Sequence, residues 1–209
     1  SAQAKVGDTP VTLKVKTAYP WGGKVALELA PAAKAKFALR LRVPGWCHSA
    51  SVMVNRHQVK DPITERGYLV LDREWKKGDK VELDLAMPVE RVAANPRVKA
   101  DQGLLAIQRG PIVYCLEQCD QSEPVAALWL PLEAPLKATR EPGLLGGVVT
   151  ITGDARLARD QNWQRTLYQS AAPADRVAIK AIPYYAWDNR KPGAMKVWLP
   201  IAPPVKTLP

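Results

Sequence analysis

Hydrophobic and polar residues alternate with a period of two along much of the first half of the chain. In VTLKVK (11–16) the apolar residues face one way and the polar residues the other, and KVALELA (24–30), FALRLRV (37–43) and KVELDLAM (80–87) repeat this pattern. Successive side chains of a strand point to opposite faces, so each segment predicts a strand with one buried face. Turn signals separate the segments, which predicts antiparallel sheets packed as a β-sandwich.

The alternation breaks in MPVERVAANPRVKADQG (87–103), which contains two prolines and predicts a connector between domains. Beyond it, LLAIQRGPIVYCLEQC (104–119) is more continuously apolar, which indicates more deeply buried strands. We place the boundary after residue 95, with a first domain over 1–95 and a second over 96–209. The prediction is an all-β protein made of two antiparallel β-sandwich domains in tandem.

Composition narrows the class of protein. The 19 prolines and 13 glycines are spread along the chain, as expected for short strands with frequent turns. No segment approaches the roughly 20 apolar residues of a membrane span, so we expect no membrane partner. The net charge of +10 is shared between residues 1–95 (16 basic minus 10 acidic) and 96–209 (14 minus 10). Because these cations are dispersed rather than clustered, we expect no nucleic-acid partner.

Residues that could carry catalysis are few. Three cysteines, Cys47, Cys115 and Cys119, are too few for a disulfide framework, and the bacterial cytoplasm and the periplasm both stay open as compartments. His48 and His57 are the only histidines, and each lies in a turn-rich stretch. The sequence contains no glycine-rich phosphate loop, no Gly-x-Ser-x-Gly and no Cys-x-x-Cys. We therefore assign no catalytic and no metal-binding residue.

Four longer motifs carry a family resemblance. TAYPWGGKV (17–25), LRVPGWC (41–47), QRGPIVYCLE (108–117) and AIPYYAWDNRKPGAMKVWLP (181–200) occur in this order. Together they resemble the C-terminal part of glycoside hydrolase family 127, the β-L-arabinofuranosidase family formerly described as a domain of unknown function. The resemblance implies an (α/α)6 barrel followed by two β-sandwiches. It also implies retaining hydrolysis by a cysteine held on a zinc site of one glutamate and three cysteines in that barrel.

The chain departs from the family pattern in two places. It has no Cys-Cys pair, so the resemblance implies that the catalytic domain and its zinc are absent here, and we expect no cofactor in this chain. Glu117-Gln118-Cys119 does spell Glu-x-Cys, but it lies in a predicted strand and is interpreted as packing rather than as a zinc site. At Asn55-Arg56, where the family often shows Asn-Gly, arginine disfavours a type I′ turn, so we expect a longer hairpin.

The predicted function is that of a non-catalytic C-terminal region of a family 127-like enzyme. It would brace the missing barrel and assist oligomerisation, with that barrel, a second subunit in a homodimer and an arabinose-containing glycan as partners. The alternative is a carbohydrate-binding β-sandwich, since sugars stack on exposed aromatic rings. A free-standing immunoglobulin-type sandwich is disfavoured because the Cys…Trp…Cys spacing is missing.

The supporting function and the carbohydrate-binding alternative make different predictions for the segment IPYYAWDNRKPGAMKVW (182–198). The carbohydrate-binding or interface candidates are Tyr184, Tyr185, Trp187, Asp188, Asn189 and Arg190. We expect the two ends of this segment to form a hairpin, with Ile182 and Tyr184 on its buried face. Tyr185 and Trp187 would then contact the first sandwich, the barrel or a second subunit.

Overall fold

The computed structural model describes residues 1–157, 168 and 174–202, and within them the protein is built from β-strands and short 3₁₀ turns. All strand pairs are antiparallel, as the all-β prediction requires, and no described helix is long and apolar enough to cross a membrane. The strands are β1 (Ala2–Val6), β2 (Thr9–Thr17), β3 (Lys24–Pro31), β4 (Ala35–Arg42), β5 (Ala50–Val54), β6 (His57–Gln58), β7 (Ile63–Glu65), β8 (Tyr68–Trp75), β9 (Asp79–Leu85), β10 (Val89–Val92), β11 (Leu104–Arg109), β12 (Ile112–Glu117), β13 (Leu128–Trp129), β14 (Leu136–Glu141), β15 (Val148–Leu157), β16 (Asp175–Pro183), β17 (Met195–Lys196) and β18 (Leu199–Pro200).

The chain divides into two compact units, Ser1–Pro88 and Val89–Pro209. Strand β10 lies at this division and pairs with β11 along its whole length, from Val89 opposite Arg109 to Val92 opposite Ala106. Because β10 pairs with β11, it belongs to the second unit. The division lies between Pro88 and Val89, earlier in the chain than residue 95.

The first unit is a sandwich of two sheets. One sheet has six strands in the order β1-β2-β3-β9-β5-β6, and the other has three in the order β4-β8-β7. Their facing residues form one hydrophobic cluster in which Trp75 is fully buried. The indole N–H of Trp75 donates to the carbonyl oxygen of Phe37 at 3.0 Å, so the largest core side chain leaves no buried donor unpaired. The buried members of the cluster are Leu27, Leu29, Leu41, Val52, Val54, Leu69, Leu71, Trp75, Val81, Leu83 and Leu85.

The hairpin between β5 and β6 is shorter than expected. Val54 pairs directly with His57, so Asn55 and Arg56 form a two-residue turn, and their φ angles of +50° and +68° are those of a type I′ turn. The expectation of a longer loop is therefore wrong. Asn55 explains why: its amide donates to the buried carboxylate of Asp79 at 3.0 Å, and its side-chain oxygen accepts the Lys80 N–H at 2.9 Å. These bonds hold the turn although Arg56 is a poor residue for it.

The second unit is built from a single branched sheet of nine strands. Its main path is β10-β11-β12-β16-β15-β13, while β14 pairs with β15, β17 with β12 and β18 with β11. The sheet curls on itself, because β10 lies beside β14 and β18 lies beside β13. A hydrogen bond from Leu130 N to Pro200 O at 2.8 Å joins the two approaching ends. The opposing parts of one curled sheet thus enclose the core in the manner of a sandwich.

The central strands of the second unit are buried on both faces. Four consecutive residues of β12, from Tyr114 to Glu117, are buried, and so are the first four of β15, from Val148 to Ile151. This two-sided burial explains why the sequence 104–119 is nearly continuously apolar instead of alternating.

Gly23 provides a test of the close approach between β3 and β9. A Cβ at Gly23 would lie 1.8 Å from the carbonyl oxygen of Leu85, whereas a Cβ at Gly45 would meet no atom within 4 Å. We expect Gly23→Ala to lower the free energy of unfolding by about 2 to 3 kcal/mol, since backbone has to move. Gly45→Ala should change it by less than about 1 kcal/mol. Urea denaturation of both variants makes the comparison, and equal stabilities would contradict the packing described.

Arg56 allows a test of the type I′ turn, in which a substitution should raise the stability of the protein. Because Arg56 adopts φ +68°, Arg56→Gly should stabilise the protein by about 0.5 to 1 kcal/mol. Arg56→Ala keeps the conformational cost of a Cβ and serves as the matched control. A gain for alanine as large as that for glycine would point to the arginine side chain instead of the turn.

Candidate functional site

The predicted hairpin at 182–198 does not form. Strand β16 ends at Pro183, and residues Tyr184–Ala186 make a 3₁₀ turn instead of continuing the strand. Leu116 of β12 pairs with Ala181 of β16 on one edge and with Lys196 of β17 on the other. The two ends of the segment therefore flank β12 and do not pair with each other. The hairpin prediction was wrong because the segment crosses over β12 before it rejoins the sheet.

The turn presents its aromatic side chains to the surface. Tyr184, Tyr185 and Trp187 are 46%, 65% and 37% exposed, whereas Ile182 is completely buried. Tyr184 was expected beside Ile182 on the buried face, and this is wrong because the strand alternation stops at Pro183. We call residues 184–187 the aromatic turn.

Arg190 fastens the segment that follows the aromatic turn to the sheet. Its guanidinium binds the Asp120 carboxylate through two parallel hydrogen bonds, Nη1 to Oδ1 at 2.9 Å and Nη2 to Oδ2 at 2.5 Å. Its Nε donates to Glu117 Oε2 at 3.2 Å, and Nη2 also contacts that oxygen. The side chain of Glu117 is only 1% exposed, so this is a buried, charge-assisted network.

The other two polar candidates also point their hydrogen bonds inward. The backbone N–H of Asp188, which has φ +63°, donates to Glu117 Oε1 at 3.3 Å. The Asn189 amide donates to the carbonyl oxygens of Ala186 and Trp187 at 3.2 and 3.1 Å. Glu117 thus receives hydrogen bonds on both oxygens, and Asn189 closes the aromatic turn from within.

A second loop completes the base of the site. After β12 the chain forms a 3₁₀ turn, Gln118–Asp120, which brings Asp120 back toward Arg190. Gln118 N donates to Ala194 O at 2.9 Å, and a Cβ at Gly193 would lie 3.1 Å from the Gln118 Cβ. The two loops are therefore packed closely enough to hold Arg190 in one orientation.

The electrostatics follow from this geometry. Hydrogen bonds from Arg190 to Asp120, and then to Glu117, raise the pKa of the guanidinium above its ordinary value despite burial. Burial, with the Glu117 carboxylate next in importance, raises the pKa of the Cys115 thiol to about 12. Burial also raises the pKa of Cys119. Arg190 is therefore a permanent cation here, and the thiols are uncharged near neutral pH.

Glu117, Cys119 and Asp120 place three potential ligand atoms within 4.8 Å of one another. Zinc needs a deprotonated thiolate and available carboxylate oxygens. Both carboxylates are instead engaged by Arg190, and the Cys119 pKa is raised. This donor set does not fit a zinc ion.

Two family models together match almost the whole chain. Residues 1–87 match the model described as "Beta-L-arabinofuranosidase, GH127 middle domain". Residues 89–200 match "Glycoside hydrolase family 127 C-terminal domain". The chain belongs to glycoside hydrolase family 127. The resemblance seen in the four sequence motifs is thereby confirmed, and the chain corresponds to the middle and C-terminal domains of the family.

Individual relatives agree. The "Non-reducing end beta-L-arabinofuranosidase" of Bifidobacterium longum subsp. longum is 31% identical over 199 residues, which are 90% of this chain and 30% of that protein. A solved GH127 β-L-arabinofuranosidase from Geobacillus stearothermophilus T6 is 44% identical with a TM-score of 0.89, covering 95% of this chain and 32% of its own. Another solved GH127 β-arabinofuranosidase is 35% identical with a TM-score of 0.85, covering 96% and 33%. The chain thus spans about a third of the length of these relatives.

The structure brings Arg190, Asp188 and Asn189 to one anchoring site and leaves the three aromatics outside it. Sequence reasoning missed Glu117 and Asp120 as the partners of Arg190. Glu117 had been noticed only within Glu-x-Cys, and 73 positions separate it from Arg190. A carboxylate at the end of an apolar strand was the available signal, since a buried charge requires a partner.

The anchoring role of Arg190 can be measured. We expect Arg190→Met to lower the free energy of unfolding of the second unit by about 3 kcal/mol or more, because Glu117 would stay buried without its cation. Arg176→Met is the control: Arg176 pairs with Asp154 but is 64% exposed, and its loss should cost less than about 1 kcal/mol. Chemical denaturation followed by circular dichroism distinguishes the two. Similar small losses in both variants would contradict the anchoring role.

Proposed function

We propose that this chain supports the catalytic domain of a family 127 enzyme, which it braces, and that it assists the association of subunits. The observation that carries the proposal is that the chain matches the middle and C-terminal domains of the family and about a third of the length of its relatives. In this proposal the catalytic barrel and a second subunit are its protein partners.

For the complete enzyme we propose hydrolysis of β-L-arabinofuranosides, with an arabinose-containing glycan as substrate. The names of the Bifidobacterium and Geobacillus relatives support this substrate class. Zinc and the cysteine nucleophile implied by the family resemblance would belong to the barrel. We assign no cofactor and no catalytic residue to these 209 residues.

The aromatic turn supports a protein contact over a sugar site. A sugar platform combines exposed rings with neighbouring polar groups that bind hydroxyls. Here the Arg190 guanidinium is bound to Glu117 and Asp120, and the Asn189 amide donates to its own turn. Rings presented on a rigid base, with these polar groups directed inward, suit a contact with another protein surface.

A carbohydrate-binding role for the same turn is the second candidate. The exposure of Tyr185, at 65%, is the observation that favours it, because sugar rings stack on exposed aromatic side chains. In the supporting role, loss of the Trp187 side chain would weaken stability or subunit association. In the carbohydrate-binding role, it would weaken sugar binding.

The test uses Trp187→Ala, with Leu132→Ala as the control, since Leu132 is 60% exposed in the same unit. Each change is made in this chain and in a full-length enzyme in which this chain replaces the matching third of the Geobacillus relative. In the full-length enzyme, Trp187→Ala should weaken domain stability or subunit association by about 2 kcal/mol or more, as for a central interface aromatic. Leu132→Ala should have little effect.

Thermal unfolding, light scattering and calorimetric titration with arabino-oligosaccharides give the three readouts. Unchanged stability and association, together with lost sugar binding in the Trp187 variant, would overturn the supporting role and establish the carbohydrate-binding one.

A further inference from the structure

The two sheets of the first unit differ in width, and this leaves part of the wider sheet uncovered. The hydrophobic cluster joins β3, β5 and β9 of the six-stranded sheet to β4 and β8 of the three-stranded sheet. Strands β1 and β2 continue the wide sheet beyond β3 and contribute no fully buried residue to that cluster. Leu13 of this extension packs against the cluster, whereas all of β1 and the last four residues of β2 are exposed.

The side chains on the core-facing side of this extension are apolar. In register, Val15 pairs with Leu27 and Leu13 with Leu29, so both point to the side on which the core lies. Ala2, Ala4 and Val6 point the same way, because Ala2 pairs with Leu13 and Ala4 with Val11. Val11 lies on this side too but is buried, and Leu13 packs against the hydrophobic cluster. We call the exposed remainder, Ala2, Ala4, Val6 and Val15, the β1–β2 apolar face.

This face is exposed, and the reverse side is polar. Val6 and Val15 are 38% and 49% exposed, although the strand partner of Val15, Leu27, is a core residue. Lys5, Lys14 and Lys16 alternate with the apolar residues and occupy the opposite side. A strand pair with a lysine-rich side and an apolar side is amphipathic, and an exposed apolar side of this kind marks an interaction surface.

A groove between the sheets adjoins this face, because its lining residue Leu27 pairs with Val15; Arg40 and Arg42 also line it. Tyr19, Val25, Leu27, Leu41 and Leu83 line this groove, where β3 and β9 meet the edge of β4. Tyr19 is held at the rim: its ring stacks on Trp46 with centroids 6.4 Å apart, and its backbone N–H donates to Thr17 Oγ1 at 3.0 Å. Together the groove and the β1–β2 apolar face offer a surface already shaped for a partner.

The relatives indicate which partner. Residues 1–87 match a middle domain and residues 89–200 a C-terminal domain, and the matched part is about a third of the relatives' length. A middle domain has another part of the enzyme before it, and β1 is the first strand of the region that matches the middle domain. The larger part of these relatives' length lies outside the matched region, so the partner considered is the part that precedes the middle domain.

We propose that the β1–β2 apolar face and the adjoining groove form the surface on which the N-terminal domain of a family 127 enzyme docks. The proposal rests on the supporting role given above and specifies where in the first unit the support is exerted. A second copy of this chain is the other occupant to be tested, since the same face could bind its own equivalent.

The first test compares two cysteine variants, Val15→Cys and Lys14→Cys, which place thiols on opposite sides of the same strand. In this chain alone, a maleimide should label both at similar rates, because Lys14 and Val15 are both exposed. In the full-length enzyme described above, labelling at 15 should slow by at least about tenfold, as for a buried contact, while labelling at 14 stays within about threefold. Mass spectrometry of the peptides separates these sites from Cys47, Cys115 and Cys119.

Equal labelling at 15 in the two settings would overturn the proposal. Protection at 15 already in the isolated chain, together with a dimeric mass by light scattering, would also overturn it in favour of a second copy. If the hybrid enzyme does not fold, the same pair of cysteines at the structurally equivalent positions of the Geobacillus enzyme gives the comparison.

The second test is functional. Val15→Glu in the full-length enzyme should reduce arabinofuranosidase activity after heat challenge at least about tenfold, whereas Lys14→Glu should not, and both variants should leave the isolated chain folded. If Trp187→Ala weakens stability or association but the thiol of Val15→Cys is labelled equally in both settings, the supporting function stands and only the docking surface is overturned. If neither the change at Trp187 nor the change at Val15 has an effect, both the supporting function and the docking surface are overturned.

Discussion

Glu117 carries a carboxylate in the interior of the second unit, on a strand whose neighbours are almost all apolar, and a charge so placed needs a cation and donors within reach. Arg190, Asp120 and the backbone of Asp188 supply them. Because these partners come from two loops, the turn that follows β12 and the segment between β16 and β17, satisfying one carboxylate brings both loops onto the sheet. The position of the aromatic turn follows from that requirement.

The same network explains why the conspicuous motif of this chain divides into two parts with different roles. Its polar residues act inward and hold the loop, while its rings remain at the surface. A residue class that suggests ligand binding in the sequence is thus used for architecture in the fold. Surface rings on a fixed base suit a role in supporting other domains, in accord with the match to the middle and C-terminal domains of family 127.

The two units bury the apolar faces of their sheets in different ways. The first opposes two separate sheets of unequal width, which leaves an apolar strand pair at one side. The second curls one branched sheet until its ends approach, so its central strands are covered on both faces. Unequal sheets leave apolar side chains exposed, whereas a curled sheet creates a dense interior in which a buried ion pair can hold loops in place.

Sequence by itself determined the features that depend on neighbouring residues. The pleat has a period of two, so the alternation in 11–16 and 80–87 predicts strands with one buried face, and the four family motifs identify the family. Tertiary structure alone decided the rest. The turn at Asn55-Arg56 depends on bonds from Asn55 to Asp79 and Lys80, and Arg190 depends on a carboxylate 73 positions away. The apolar side of β2 has the pattern of any one-sided strand, yet Val11 is buried and Val15 is exposed. Alternation records which face is apolar, and only the arrangement of the sheets determines how much of that face is covered.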